Sequence, residues 1–130
     1  LLGYDYFIQG VVISGDQRGR SIGFPTANIQ VDKYKALPKF GVYSCKILID
    51  TKVYLGVVNI GQNPTFAIEE TRVEVHILNF SKDLYGKKIS IELNQKIRHE
   101  MKFDSIDTLK NQIKIDIKKV KQLFHTSLES

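Results

Sequence analysis

The sequence predicts a mainly β domain, an antiparallel barrel or sandwich with one long helix at its C-terminal end. Three observations carry this reading. About six short strand-like runs fill the first three quarters of the 130 residues, with few helical signals between them. Several of these runs alternate apolar and polar residues at period two, as half-buried strands do. The last quarter switches to apolar spacings of three and four, the mark of an amphipathic helix.

In chain order, residues 7–14 (FIQGVVIS) are the first strand and run into a glycine-rich segment. Residues 26–31 are a second, very short one. Residues 41–50 and 53–60 are separated by only Thr51 and Lys52, which reads as a hairpin. In residues 72–78, Val73, Val75 and Ile77 take one face, and Arg72, Glu74 and His76 the other. Residues 89–93 alternate likewise, and the charged stretch 82–88 before them is a turn with Gly86 as pivot. A helix from about residue 105 to 125 would span roughly 30 Å. Ser105 can cap it and Asp107 lies in its first turn. Ile106, Leu109, Ile113, Ile117, Val120 and Phe124 form its stripe, which needs a partner, most simply the outer wall of the barrel.

Length and composition bound the rest. The chain fits one domain, residues 1–130, with one real core. Its single cysteine, Cys45, excludes an internal disulfide framework and a cysteine-rich zinc site. Cys45 lies in an apolar run, as a buried thiol does, and a reducing cytoplasm is consistent with it. No apolar run is long enough to span a membrane, and no secretory signal is visible. The net charge of +5 favours anionic ligands in general. Residues 101–130 hold six lysines and four acidic residues, a solvated helix face rather than a stripe for nucleic acid. The first residue is Leu1 rather than Met, so a fragment of a longer protein is expected.

Residues 15–28 are the most informative segment. Gly15, Gly19 and Gly23 recur every four residues and lead to Phe24-Pro25-Thr26-Ala27-Asn28. Glycines let backbone N–H groups approach an anion closely, and Thr26 and Asn28 offer neutral oxygens that suit a hard cation. Together they suggest a nucleotide phosphate with its Mg²⁺. The spacing matches neither a Walker A loop nor a Rossmann fingerprint, and on these residues alone a plain glycine-rich hairpin loop is the competing reading.

Further elements follow in a fixed order. Gly10-Val11-Val12 precedes the glycine-rich segment, and Leu37-Pro38 and Gly41-Val42-Tyr43 come after it. Next stand Asn59-Ile60-Gly61, Pro64-Thr65-Phe66, Val73-Glu74-Val75-His76 and Asp83-Leu84-Tyr85-Gly86. Ile97-Arg98, Glu100, Lys102-Phe103, Gln112 and Asp116 complete the series. Over nearly the whole chain this ordered set resembles the riboflavin kinase family, in particular the kinase module of bifunctional bacterial FAD synthetases.

The resemblance implies a closed six-stranded antiparallel Greek-key barrel with a long C-terminal helix. It implies transfer of the γ-phosphate of ATP to the ribityl 5′-hydroxyl of riboflavin, giving FMN and ADP with Mg²⁺. By its positions, Gly15, Arg18, Gly19, Arg20, Gly23, Pro25, Thr26 and Asn59 serve the nucleotide, the segment from Gly15 to Gly23 acting as a movable phosphate cover. Thr26 and Asn28 hold the Mg²⁺, and Glu74 is the general base. Gly61, Pro64, Thr65, Phe66 and Arg98 serve the flavin, with Phe66 as an apolar wall. Read without the family, Glu74 is a strand-surface acid paired to Arg72 or a lysine, Phe66 is core, and Arg98 pairs with Glu100 or Glu92. An adenylyltransferase module in cis, N-terminal to this chain, is the implied partner. The expected ligands are riboflavin and ATP with their products, with no nucleic acid or membrane.

Overall fold

The computed structural model describes residues 6–16, 24, 26–31, 39–63, 70–80 and 82–129. Glycine-rich residues 17–23, Pro25 and residues 64–69 lie outside the described residues. Six strands are formed, β1 (Tyr6–Asp16), β2 (Thr26–Gln30), β3 (Gly41–Ile49), β4 (Lys52–Asn63), β5 (Glu70–Ile77) and β6 (Lys88–Arg98), followed by helix α1 (Ile106–Glu129). They close into an antiparallel barrel in the order β1-β2-β5-β4-β3-β6. Consecutive strands β3, β4 and β5 lie side by side, and β6 returns to pair with β3. That is a Greek key.

Period-two alternation sorts the side chains. Ile8 and Val12 of β1, Cys45 and Ile47 of β3, Val58 and Ile60 of β4, Val73 and Val75 of β5, and Ile89, Ile91 and Leu93 of β6 fill the barrel interior. With these strands the sheet has no free edge to protect. The β3–β4 hairpin turns through Asp50 and Thr51, since Ile49 pairs with Lys52, and Asp50 takes the left-handed region at φ 56°. Gly86 is the pivot expected before β6, at φ 81°, where a side chain would be strained.

The outer wall of β3 and β4 is the partner of the helix. Val42, Val57, Leu78 and Ile97 pack with Val120 and Phe124 in a second, smaller core. Ser105 caps α1 as expected: its Oγ accepts the Thr108 N–H at 3.2 Å, and Thr108 Oγ1 donates back to the Ser105 carbonyl at 2.9 Å. The stripe departs from expectation at one end, because Ile106 opens the helix and is 52% exposed.

Three boundaries also differ. β1 runs on to Asp16, because Gly15 and Asp16 pair with Ala27 and Thr26 in the ladder. Strand β1 therefore ends two residues later than the sequence suggests. The helix continues to Glu129, beyond residue 125. Strand β6 extends well past Leu93 to Arg98, with register shifts against β3 between Ser44 and Cys45 and between Val42 and Tyr43. The first is tied down by Ser44, fully buried, whose Oγ donates to Asn94 Oδ1 at 3.0 Å and accepts the Gln95 N–H at 3.1 Å. The second inserts Ile97 between Lys96, which faces Tyr43, and Arg98, which faces Val42. A bulge re-aims side chains, and here Ile97 and Arg98 both reach the helix.

Candidate active site

Antiparallel register places the candidate residues on one line. Glu74 of β5 pairs with Asn28 of β2 on one side and with Asn59 of β4 on the other. Asn59 pairs with Val42 of β3, and Val42 with Arg98 of β6. Asn28, Glu74, Asn59, Val42 and Arg98 thus form one row across five strands. Val73 and Val75 point into the barrel, so Glu74 lies on its outside, with Arg72 and His76.

Helix α1 crosses that outside wall and treats its two halves differently. Its C-terminal half is packed down by Val120 and Phe124. Its N-terminal half stands off and leaves a groove with about 620 Å³ of space free of protein atoms, open mouth included. Val42 and Val57 on the barrel side and Leu109 and Ile113 on the helix side are its apolar walls. Thr26, Asn59, Glu74 and His76 stand along its polar floor, and Arg98 and Asp116 also line it.

The polar residues fall into two groups. Arg98 is held by a buried carboxylate: its Nε donates to Asp116 Oδ1 and its Nη2 to Asp116 Oδ2, both at 2.9 Å. Its Nη1 donates to the His99 carbonyl at 3.0 Å, and Gln112 Nε2 donates to Asp116 Oδ1 at 3.0 Å. The guanidinium carbon lies 5.9 Å from the centre of the Phe103 ring. The ion pair expected of Arg98 is therefore real, but its partner is Asp116 of the helix, not Glu100 or Glu92. Strand β6 bulges toward the helix at this point, which no alternation pattern encodes.

The second group is unsatisfied. Thr26 Oγ1 and Asn59 Oδ1 are buried with no hydrogen-bond partner among the described residues, and Asn28 Oδ1 is buried next to Glu74 in the row. A buried oxygen left without a donor costs about 1–3 kcal/mol, so such a cluster calls for a ligand. Oxygen ligands of this kind suit a hard cation. Among the described residues no group of three His, Cys, Asp or Glu side chains forms a metal centre.

Of the other expected residues, Gly61 continues β4 two positions beyond Asn59 and pairs with Arg72. A Cβ on Gly61 would coincide with the Glu100 carboxylate, so glycine is what lets Glu100 lie there. Arg72 is 3.9 Å from that carboxylate, a weak contact rather than a pair with Glu74. Gly15 sits in the β1–β2 ladder opposite Ala27. Arg18, Gly19, Arg20, Gly23, Pro25, Pro64, Thr65 and Phe66 lie outside the described residues.

Several groove residues carried no assigned role in the sequence reading. His76 was placed only on the polar face of its strand, yet it lines the groove with its ring edge-on to Phe24, centroids 5.8 Å apart. Asp116 carried a legible signal: an acid three residues after Ile113 and four before Val120 falls on the apolar stripe of the helix. Nothing in the pattern said that Leu109 and Ile113 would face a groove and Val120 a packed wall. Cys45 is buried in the barrel core and its thiol is pushed up by desolvation, so it takes no part in chemistry.

Comparison with known proteins agrees with this geometry. Residues 2–124 match the family model described as flavokinase, riboflavin kinase. The chain is 46% identical over 119 residues to the bifunctional riboflavin kinase/FMN adenylyltransferase of Bacillus subtilis, covering 89% of this chain and 38% of that relative's length. Its fold superposes with a TM-score of 0.83 on a Streptococcus pneumoniae crystal structure described as a macrolide-efflux protein, at 37% identity over 88% of this chain and 38% of that one. The riboflavin kinase of Trypanosoma brucei superposes with a TM-score of 0.63 at 27% identity, over 92% of this chain and 79% of that one. Among the described residues, no helix is long and apolar enough to cross a membrane. With the Greek-key barrel, the groove under its helix and the match over residues 2–124, the chain belongs to the riboflavin kinase family.

Proposed function

We propose that the chain transfers the γ-phosphate of ATP to the 5′-hydroxyl of riboflavin in the groove between barrel and helix, with Glu74 as general base. The observation that carries this is the row Asn28, Glu74, Asn59: a carboxylate flanked by two carboxamides at the polar edge of an apolar groove. A planar, largely apolar ring fits between Val42 and Val57 on one side and Leu109 and Ile113 on the other. Its ribityl chain then runs toward Glu74, whose carboxylate orients the terminal hydroxyl and accepts its proton as the oxygen bonds to phosphorus.

Phosphoryl transfer asks the protein for positioning and charge neutralisation more than for covalent help. Thr26 and Asn28 would hold a Mg²⁺, a fit supported by the unsatisfied buried Thr26 Oγ1 and its neutral, hard oxygen. Bound there, the ion would neutralise charge on the phosphate oxygens. Asn59, on the β4 side of Glu74, supplies a further polar contact to the nucleotide beside the base. A phosphate cover from the glycine-rich residues that follow Asp16, and the flavin contacts expected of Pro64, Thr65 and Phe66, complete the proposed site.

The chain spans 38% of the Bacillus subtilis relative it matches. By that proportion we take it as one kinase domain of a longer cytoplasmic protein that also carries FMN adenylyltransferase activity in a preceding module. The test is incubation of the chain with riboflavin and MgATP, followed by separation of the flavins. FMN and ADP in equal amounts, with no FAD, is the expected result. Quenching of flavin fluorescence without ATP turnover would instead make the barrel a flavin carrier.

A further inference from the structure

We infer that Gly61 and Glu100 form a steric seat that fixes the connection between β6 and α1, with Glu100 as a positioning residue that sets Phe103 against the groove. Gly61 then serves the site through Glu100 rather than by touching a ligand. The effect on flavin binding rests on the riboflavin reading above, whereas the seat itself does not.

Gly61 is out of place by local rules. It lies inside β4, paired with Arg72, where a glycine weakens the strand. The backbone does not ask for it, because the positive-φ glycines among the described residues are Gly41 and Gly86. Space asks for it instead. Gly61 stands two residues past Asn59 on the outer face of the barrel, since Val58 and Ile60 point inward. On that face the Glu100 carboxylate occupies the volume a Cβ would need, so any side chain at position 61 would push Glu100 away.

Shape rather than charge makes this seat. Arg72 Nη2, across the ladder from Gly61, is 3.9 Å from Glu100 Oε1, beyond hydrogen-bond reach. With the two side chains 36% and 34% exposed, such a contact adds little.

Glu100 belongs to residues 99–105, which form neither strand nor helix. The stretch is tied where it leaves β6, by Arg98 bonded to Asp116 of the helix, and where it enters α1, by Ser105 bonded to Thr108. The Glu100 seat ties the part between them to β4. Three residues on, Phe103 lines the groove and lies over the Arg98 guanidinium. Three residues reach at most about 10 Å, so the place of Glu100 limits the place of Phe103. Neither Gly61 nor Glu100 lines the groove, so both act on it through that ring.

The experiment compares Gly61→Ala, Glu100→Ala, their double variant and Glu100→Gln with wild type in two readouts. The chain has no tryptophan, so Phe103→Trp supplies a single reporter of the groove wall. In that background, without ligand, Gly61→Ala and Glu100→Ala should each shift the emission to the red and raise its quenching by acrylamide. In the chain with Phe103 kept, each should weaken riboflavin about fivefold, and the double variant no further, as a shared interaction requires. Glu100→Gln keeps the shape and loses the charge, so it should keep the emission and bind riboflavin within about twofold of wild type. The losses should appear in KM for riboflavin, with kcat and MgATP affinity held.

Additive losses in the double variant would return Gly61 to direct flavin contact. A loss in Glu100→Gln equal to that in Glu100→Ala would make charge the tie instead of shape. A parallel fall in MgATP affinity would mark a general loss of structure, and an unshifted emission in Gly61→Ala would remove the seat. Each of these overturns the assignment. Wild type that binds no riboflavin, with the emission shifts present, would sink the kinase reading and leave the seat standing.

Discussion

The two ends of the groove use polar side chains in opposite ways. At the β6 end, Arg98, Asp116 and Gln112 bond to one another inside the fold, at 2.9 to 3.0 Å. Around Glu74, Thr26 of β2 and Asn59 of β4 keep buried oxygens that no described protein group satisfies. A satisfied network fixes shape; an unsatisfied one reserves affinity for something that arrives later. The difference separates the part of the site that is built in advance from the part completed by substrate.

Glu74→Gln gives the sharpest break in function between the ends. It removes the proton acceptor while keeping size and hydrogen bonding, and turnover should fall by about 10²–10⁴ with riboflavin affinity retained. Steady-state kinetics beside flavin titration would show it; turnover near the wild-type rate would remove Glu74 from the role of base. Asp116→Ala probes the paired end and should cost about 1–3 kcal/mol of stability, because it leaves the half-buried Arg98 guanidinium without its carboxylate. Chemical denaturation measures that loss, and a cost below about 1 kcal/mol would mean the pair is as weak as an exposed one.

Thr26→Val should do the reverse. Its hydroxyl has no described partner to lose, so stability should hold or rise by up to about 1 kcal/mol while MgATP affinity drops. A destabilised Thr26→Val protein would show that the hydroxyl serves the fold. Gly61→Ala should shift stability by less than about 1 kcal/mol, since the added Cβ meets the end of the flexible Glu100 side chain, whose contact to Arg72 is 3.9 Å. The smallest effect is expected at Cys45. Its thiol is held protonated by burial, so the folded protein should resist alkylation until it is denatured.

Much of the fold was legible because β alternation and helix periodicity are local. Val73, Val75 and Ile77 against Arg72, Glu74 and His76 gave both faces of β5, and the outer placement of Glu74 followed from them. Ser105 announced the start of the helix by the chemistry of its side chain. The segment ending in Thr26 and Asn28 pointed to an oxygen-rich, phosphate-type site before any partner for it was known. Arg98 was harder. The alternation in residues 89–93 does not continue to it, since two register shifts intervene in β6.

By itself, then, the sequence determined the strand faces and the helix stripe and, through an ordered resemblance, the family and its candidate base. These depend on residues near one another in the chain or on motifs read in order. Only the tertiary structure decided that Asn28, Glu74 and Asn59 share one row, that the helix seals half of the outer wall and leaves a groove over the other half, and that Arg98 is paired with Asp116. Each of these is a matter of register or packing between segments far apart in sequence. A one-residue bulge or a small change in how a helix lies on a sheet alters them without changing any local pattern.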